Sequence, residues 1–101
     1  MVKHVILWKV KEEFAPEKKQ EIIAGVKTGL EGLKGQILGL LEIKVVTNAL
    51  PSSNADVMLD SSFESEEALK GYAVHPAHVA VADNSVRPYM EIRLCMDYEV
   101  E

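Results

Sequence analysis

The chain has 101 residues, with 11 Lys and Arg against 16 Asp and Glu for a formal charge of −5, and a single cysteine. That length supports one hydrophobic core and a single domain over 1–101, and the acidic balance leaves no electrostatic footprint for nucleic acid or an anionic membrane surface. No stretch approaches the ~20 apolar residues of a membrane span, the N-terminus lacks a signal-peptide pattern, and the lone Cys95 fits a reducing, cytoplasmic setting as a buried small hydrophobe.

In chain order, Val2 to Val10 alternate, with Val2, His4, Ile6, Trp8 and Val10 on one face and Lys3, Val5, Leu7 and Lys9 on the other. Both faces are apolar at their centres, so this strand is expected to be covered on both sides. Ala15-Pro16-Glu17 opens a helix whose Ile22, Ile23, Val26, Leu30 and Leu33 fall at helical spacing; Gly29, Gly32 and Gly35 weaken its end. A second strand fits Leu40 to Thr47, with Leu41, Ile43 and Val45 alternating with Glu42, Lys44 and Val46. Residues 48–55 are rich in turn formers, and a third strand over Asp56 to Phe63 sets Val57, Leu59, Ser61 and Phe63 against Met58, Asp60 and Ser62. Ser65 is a good N-cap for a helix starting at Glu66.

That helix runs into Tyr72-Ala73-Val74-His75-Pro76-Ala77-His78, which holds two of the three histidines. A residue before proline is pushed out of the α region, so the helix stops near Val74. Pro76 suits a first helical position, which places His75 at a cap and His78 in the opening turn of a further helix over Ala77 to Val86. A last strand from about Met90 to Val100 opposes Ile92, Leu94, Met96 and Tyr98 to Glu91, Arg93, Cys95 and Asp97.

The order β-α-β-β-α-β, with the second helix broken at Pro76, predicts an α+β ferredoxin-like plait: a four-stranded antiparallel sheet with helices on one face. The opposite face then carries Val5 and Leu7, or else Ile6 and Trp8, with at least one of Met58 or Leu59. An apolar patch of that extent marks an interface. The expectation is a homodimer with its sheets face to face, burying about 1,200 to 2,000 Å² in total; the alternative is a monomer with an open sheet.

His4, the run Asp56 through Phe63-Glu64-Ser65-Glu66-Glu67-Ala68-Leu69 to Tyr72, the motif His75-Pro76-Ala77-His78, and the closing Arg93 with Asp97-Tyr98 resemble the stress-responsive A/B barrel domain family, also called the dimeric α/β barrel. The resemblance covers nearly the whole chain. It implies a homodimer whose two sheets form a barrel, and, from the polyketide-cyclase members of the family, roles for Tyr72 as an orienting hydroxyl and His78 as general base, with His4 beside them. Those cyclases keep aromatic side chains on the first helix, where this chain has Ile22, Ile23 and Val26. Trp8 shares a strand face with His4 and Ile6, where an indole competes for the volume that a long polyketide needs.

Two functions of different class follow. One is a barrel protein that binds a small apolar or anionic molecule between helices and sheet, with His4, Ile6, Trp8, His75 and Arg93 as candidate ligand contacts. The other is a cyclase or lyase that removes a proton next to a carbonyl, with His78 and Tyr72 as catalytic groups. Each residue also has a structural role open to it: His78 bonded to helix-terminal backbone or to His4, Tyr72 buried by its ring, His75 as a cap, His4 as a core histidine, and Arg93 paired with Asp60, Asp97 or Glu91. No redox-cofactor motif or nucleophile with its base is present, so no cofactor is expected. No metal is expected either, because no Cys or carboxylate has zinc-ligand spacing around His75 and His78.

Overall fold

The computed structural model describes residues 1–101 as β1 (Val2–Val10), α1 (Pro16–Glu31), β2 (Leu40–Val46), β3 (Val57–Phe63), α2 (Glu66–Val74), α3 (Pro76–Val81) and β4 (Met90–Glu99). A π-helical turn over Ala82–Val86 and a 3-10 turn over Arg87–Tyr89 join α3 to β4. The sheet is four-stranded with order β2-β3-β1-β4, and every neighbouring pair is antiparallel. This is the expected ferredoxin-like plait. The helix expected to continue from Ala77 to Val86 is α-helical only to Val81. Its remainder widens into the π turn, whose Ala82 and Val86 stay buried.

β1 lies inside the sheet, paired on both sides, and alternate residues explain its burial. Val2, His4, Ile6, Trp8 and Val10 are buried beneath the helices, and Leu7 is exposed on the other face. Ile22, Ile23, Val26 and Leu30 of α1, with Leu33 just beyond it, close over Ile6, Trp8 and Val10 and over Leu59 and Phe63 of β3 in one core cluster. Of the two face assignments left open by the sequence, the outer set is therefore Val5 and Leu7. In β2 a register shift between Leu40 and Glu42 turns Leu41 outward, so Leu40, Ile43 and Val45 are buried instead of an unbroken alternation from Leu41.

Register assigns the faces of β4. Paired residues of antiparallel strands share a face, and Trp8 pairs with Arg93, Ile6 with Cys95 and His4 with Asp97. Arg93, Cys95 and Asp97 therefore lie on the helix side. Ile92, Leu94, Met96 and Tyr98 lie on the outer side with Val5 and Leu7, exposed by 46%, 62%, 68% and 45%. Cys95 departs from expectation: it is exposed, because β4 is an edge strand and every residue beyond Met90 is solvent-accessible. At the opposite edge the end of α1 protects β2. Glu31 accepts a hydrogen bond from the Val45 N–H at 2.9 Å, and the Lys27 ammonium donates to the Val45 carbonyl at 2.9 Å, which satisfies groups an edge strand leaves open. Lys27 also bonds Glu31 at 2.8 Å, and it, followed by the Val45 N–H, holds the Glu31 carboxyl below its usual range.

Two glycines carry the packing of the helices. Inside α1, a side chain at Gly29 would meet Val81 Cγ1 at 2.8 Å, so α1 and α3 touch there closely; Gly29 is a contact as well as a weakener of the helix end. Gly39 has φ +86° and opens β2 directly against α2, where an added Cβ would lie 2.5 Å from Ala68 Cβ. Gly39→Ala should thus destabilise the fold by more than about 1 kcal/mol, from left-handed strain and the clash together. Chemical denaturation checks this, and the Gly39→Ala, Ala68→Gly double variant should recover only the steric part; a neutral single substitution would contradict the close approach.

Candidate functional site

The site begins with the end of α2. Ser65 Oγ accepts from the Ala68 N–H at 3.1 Å and starts the helix; Pro76 has no N–H to continue it. His75 is extended at φ −66°, ψ 132°, its N–H donates to the Tyr72 carbonyl at 3.1 Å, and its Nδ1 accepts from the Ala77 N–H at 3.1 Å. His75 is thereby the cap of α3 and lies away from the cavity described next. Its candidate ligand contact has no geometric support, while the capping role has.

A cavity of about 300 Å³ opens between the helices and the β1–β4 side of the sheet. His4, Ile6, Trp8, Tyr72, His78 and Arg93 all line it, with Leu30, Leu59, Val86 and Met90 among the apolar remainder of the wall. The other sequence-predicted site residues therefore meet in one place. Trp8 forms part of the wall and leaves the space open. Its volume sits at the small end of the roughly 300 to 1,000 Å³ typical of ligand pockets.

Tyr72 and His78 face one another with ring centroids 4.2 Å apart and planes at 34°. Phe63 meets Tyr72 edge-on at 4.9 Å, and His4 meets it edge-on at 6.0 Å. Tyr72 is buried, its hydroxyl has no hydrogen-bond partner in the protein, and burial pushes its pKa upward, so the phenol stays protonated. His78 Nδ1 lies 3.3 Å from the Ala73 carbonyl. Since a carbonyl only accepts, Nδ1 carries the proton and Nε2 keeps its lone pair. Burial lowers the His78 pKa; the Ala73 bond opposes this, and charge from Arg87, His4 and Arg93 adds to the lowering.

The sequence left Arg93 a choice of acidic partners, and it takes none as an ion pair. Asp60 bonds Lys3 at 2.5 Å, Asp97 bonds His4 Nδ1, and the neighbouring Arg87 is held by Asp83 at 2.5 Å. Glu91, the third candidate, lines the same cavity without pairing with Arg93, so the guanidinium stands free of a direct ion pair beside the apolar space. Asp97, which closes on His4 from across the strand pair, was not singled out as a site residue. Only strand register links residues so far apart in sequence.

A ferredoxin-like plait with a polar-tipped cavity between sheet and helices is the class this geometry defines. The model of the stress responsive A/B barrel domain matches residues 2–100, and the chain belongs to that family. Olivetolic acid cyclase from Cannabis sativa is 30% identical over 100 residues, covering 96% of this chain and 94% of that protein. Stress-response A/B barrel domain-containing protein HS1 from Arabidopsis thaliana is 36% identical over 84 residues, covering 80% of this chain and 73% of its own. Among solved structures, a dimeric protein of unknown function with a ferredoxin-like fold from Bacteroides fragilis is 32% identical, with a TM-score of 0.92 over 98% of this chain and 95% of that one.

The lowered pKa of His78 has a consequence for stability. The folded state disfavours its protonation, so its contribution is complete above the ordinary value of about 6.5 and is lost as pH falls through that value toward the depressed one. Thermal denaturation between pH 7 and 5 should show a steeper loss in the wild type than in His78→Asn. Parallel curves would assign the acid sensitivity to other groups.

Proposed function

We propose that the protein works as a homodimer whose cavity binds a small, largely apolar carbonyl compound with an anionic end, and that His78 removes a proton next to the carbonyl. The observation that carries this reading is the pairing, inside an apolar cavity, of a neutral imidazole and a buried tyrosine hydroxyl that no protein group satisfies. A buried hydroxyl without a partner destabilises a fold by about 1 to 3 kcal/mol. A ligand oxygen is the partner it lacks.

In the proposed step the Cα–H bond of the ligand breaks, its proton passes to His78 Nε2, and the electron pair moves into the carbonyl to give an enolate. The Tyr72 hydroxyl donates to that oxygen as charge develops on it. Arg93 holds the anionic end at the rim. The enolate carbon then attacks a second carbonyl of the same molecule, or a β-leaving group departs; the proton held on His78 goes to the new alkoxide or to the leaving group. The similarity to olivetolic acid cyclase supports the cyclase branch, whereas the cavity volume favours a short substrate. A binding role without turnover is the second reading. It is favoured by the Ala73 bond of His78, which also serves to hold α3 against α2.

A screen of short β-polyketo acids against the wild type and two variants separates these readings. Turnover should fall at least ~10²-fold in His78→Asn. Tyr72→Phe should lose rate while keeping or gaining up to about 1 kcal/mol of stability, since it removes an unsatisfied group. Unchanged turnover in His78→Asn would remove the base role; binding with no turnover in the wild type would leave the binding role alone.

The dimer half of the proposal rests on the outer face of Val5, Leu7, Ile92, Leu94, Met96 and Tyr98 and on the dimeric assembly of the Bacteroides fragilis relative. A reducing cytoplasm suits the exposed thiol of Cys95, and no helix is long and apolar enough to cross a membrane. Light scattering at micromolar concentration should give twice the chain mass, and a Leu94→Lys, Met96→Lys double variant should give the single mass. Monomers in the wild type would refute the assembly.

A further inference from the structure

The pairing of β1 with β4 collects three donor atoms of three chemical kinds on the helix side of the sheet. Asp97 stands across from His4, and Cys95, two residues earlier on β4, projects from the same face beside it. Cys95 Sγ lies 3.8 Å from His4 Nδ1 and 3.5 Å from Asp97 Oδ1, and Asp97 Oδ1 is in direct contact with His4 Nδ1. Taking one ligand atom from each residue, all three lie within 4.8 Å of one another. His4 is buried, its carbonyl is held by Ser61 Oγ at 2.8 Å, and its ring is wedged edge-on against Tyr72 and Phe63, so one corner of the triangle is fixed.

We propose that His4, Cys95 and Asp97 form a binding site for a borderline-soft divalent cation of the zinc class. The chemistry of the donor set selects the ion: imidazole nitrogen with thiolate sulfur suits zinc and its neighbours and does not suit magnesium or calcium. The spacing agrees with it. A tetrahedral zinc with Zn–S near 2.3 Å and Zn–N or Zn–O near 2.0 Å separates sulfur from its N or O neighbours by about 3.5 Å and nitrogen from oxygen by about 3.3 Å. Both sulfur edges are already near that length, and only the hydrogen-bonded His4–Asp97 edge must open, by under about 1 Å.

Three protein ligands leave a fourth position, as in zinc sites that take a water or an exogenous ligand. Here that position has somewhere to face. A cleft of about 480 Å³ between α2 and β4 is lined by all three ligands together with Glu66, Lys70 and Arg93. The arrangement stands independently of the proposed reaction at His78.

Binding must displace protons. In the absence of a cation, His4 Nδ1 donates to Asp97, and the Cys95 Sγ–H lies against the same carboxylate oxygen. Coordination removes the thiol proton and moves the imidazole proton to Nε2, so affinity falls as pH is lowered. Arg93 opposes the cation and Glu66 favours it; both line the same cleft.

The test uses reduced, chelator-treated protein titrated with Co²⁺ and then Zn²⁺. One Co²⁺ per chain should bind with a thiolate-to-cobalt charge-transfer band, and Zn²⁺ should displace it and raise the melting temperature. Cys95→Ser should abolish the band and Asp97→Asn should weaken Zn²⁺ binding at least ~10-fold; both positions are exposed on an edge strand, so neither change endangers the fold. Absence of the band in wild-type protein would overturn the site. So would Zn²⁺ binding that survives Cys95→Ser and disappears when His75 and His78 are replaced.

Discussion

Pro76 cannot donate the hydrogen bond that would carry α2 onward, and the geometry of the cavity follows from that one missing N–H. In an unbroken helix, residues six apart differ by about 240° around the axis, so Tyr72 and His78 would project in different directions. The break at His75 reorients the chain before His78, and the rings of Tyr72 and His78 come to 4.2 Å. The His75 cap and the Ala73–His78 bond then fix the corner from both sides. His75 thus acts on the cavity through the backbone.

A second constraint is the width of the sheet. α1 and α2 close over β1, β2 and β3, whose inward residues form the core, whereas β4 emerges beyond the helices and stays solvent-accessible past Met90. That uncovered margin is what leaves space between helices and sheet on the β4 side. The same strand is apolar on its outer face, where Leu94 pairs with Leu7 and Met96 with Val5. The strand therefore presents two unlike faces: Arg93, Cys95 and Asp97 toward the helices, and exposed Ile92, Leu94, Met96 and Tyr98 on the other side.

Most of the fold was legible because its signals are local. Alternation placed the strands, Ser65 and the prolines placed the helix starts, and the family's His-Pro-x-His motif after a tyrosine placed the corner. The candidate cavity was legible through the same motif, and His4, Ile6, Trp8, Tyr72, His78 and Arg93 do line one space. What was not legible depends on register or on relief from covering. The shift at Leu40 and Glu42 that expels Leu41 leaves no mark in the alternation. Cys95 has the neighbours of a buried residue, Leu94 and Met96, but lies on an edge strand, and periodicity does not tell edge from centre. The π turn at Ala82–Val86 keeps the inward spacing of a helix, so its widening is invisible to a hydrophobic pattern.

His4 joins the two spaces on the helix side, because it lines both the cavity and the cleft behind it. While Asp97 accepts from Nδ1, a neutral His4 ring presents a lone pair on Nε2. In the proposed metal-bound form Nδ1 is the ligand atom and Nε2 carries the proton, so the free edge of the ring turns from acceptor to donor without any movement of the ring. A strand pairing that looks purely structural would in that way tie an ion at the sheet edge to the hydrogen-bonding sense of a ring packed edge-on against Tyr72.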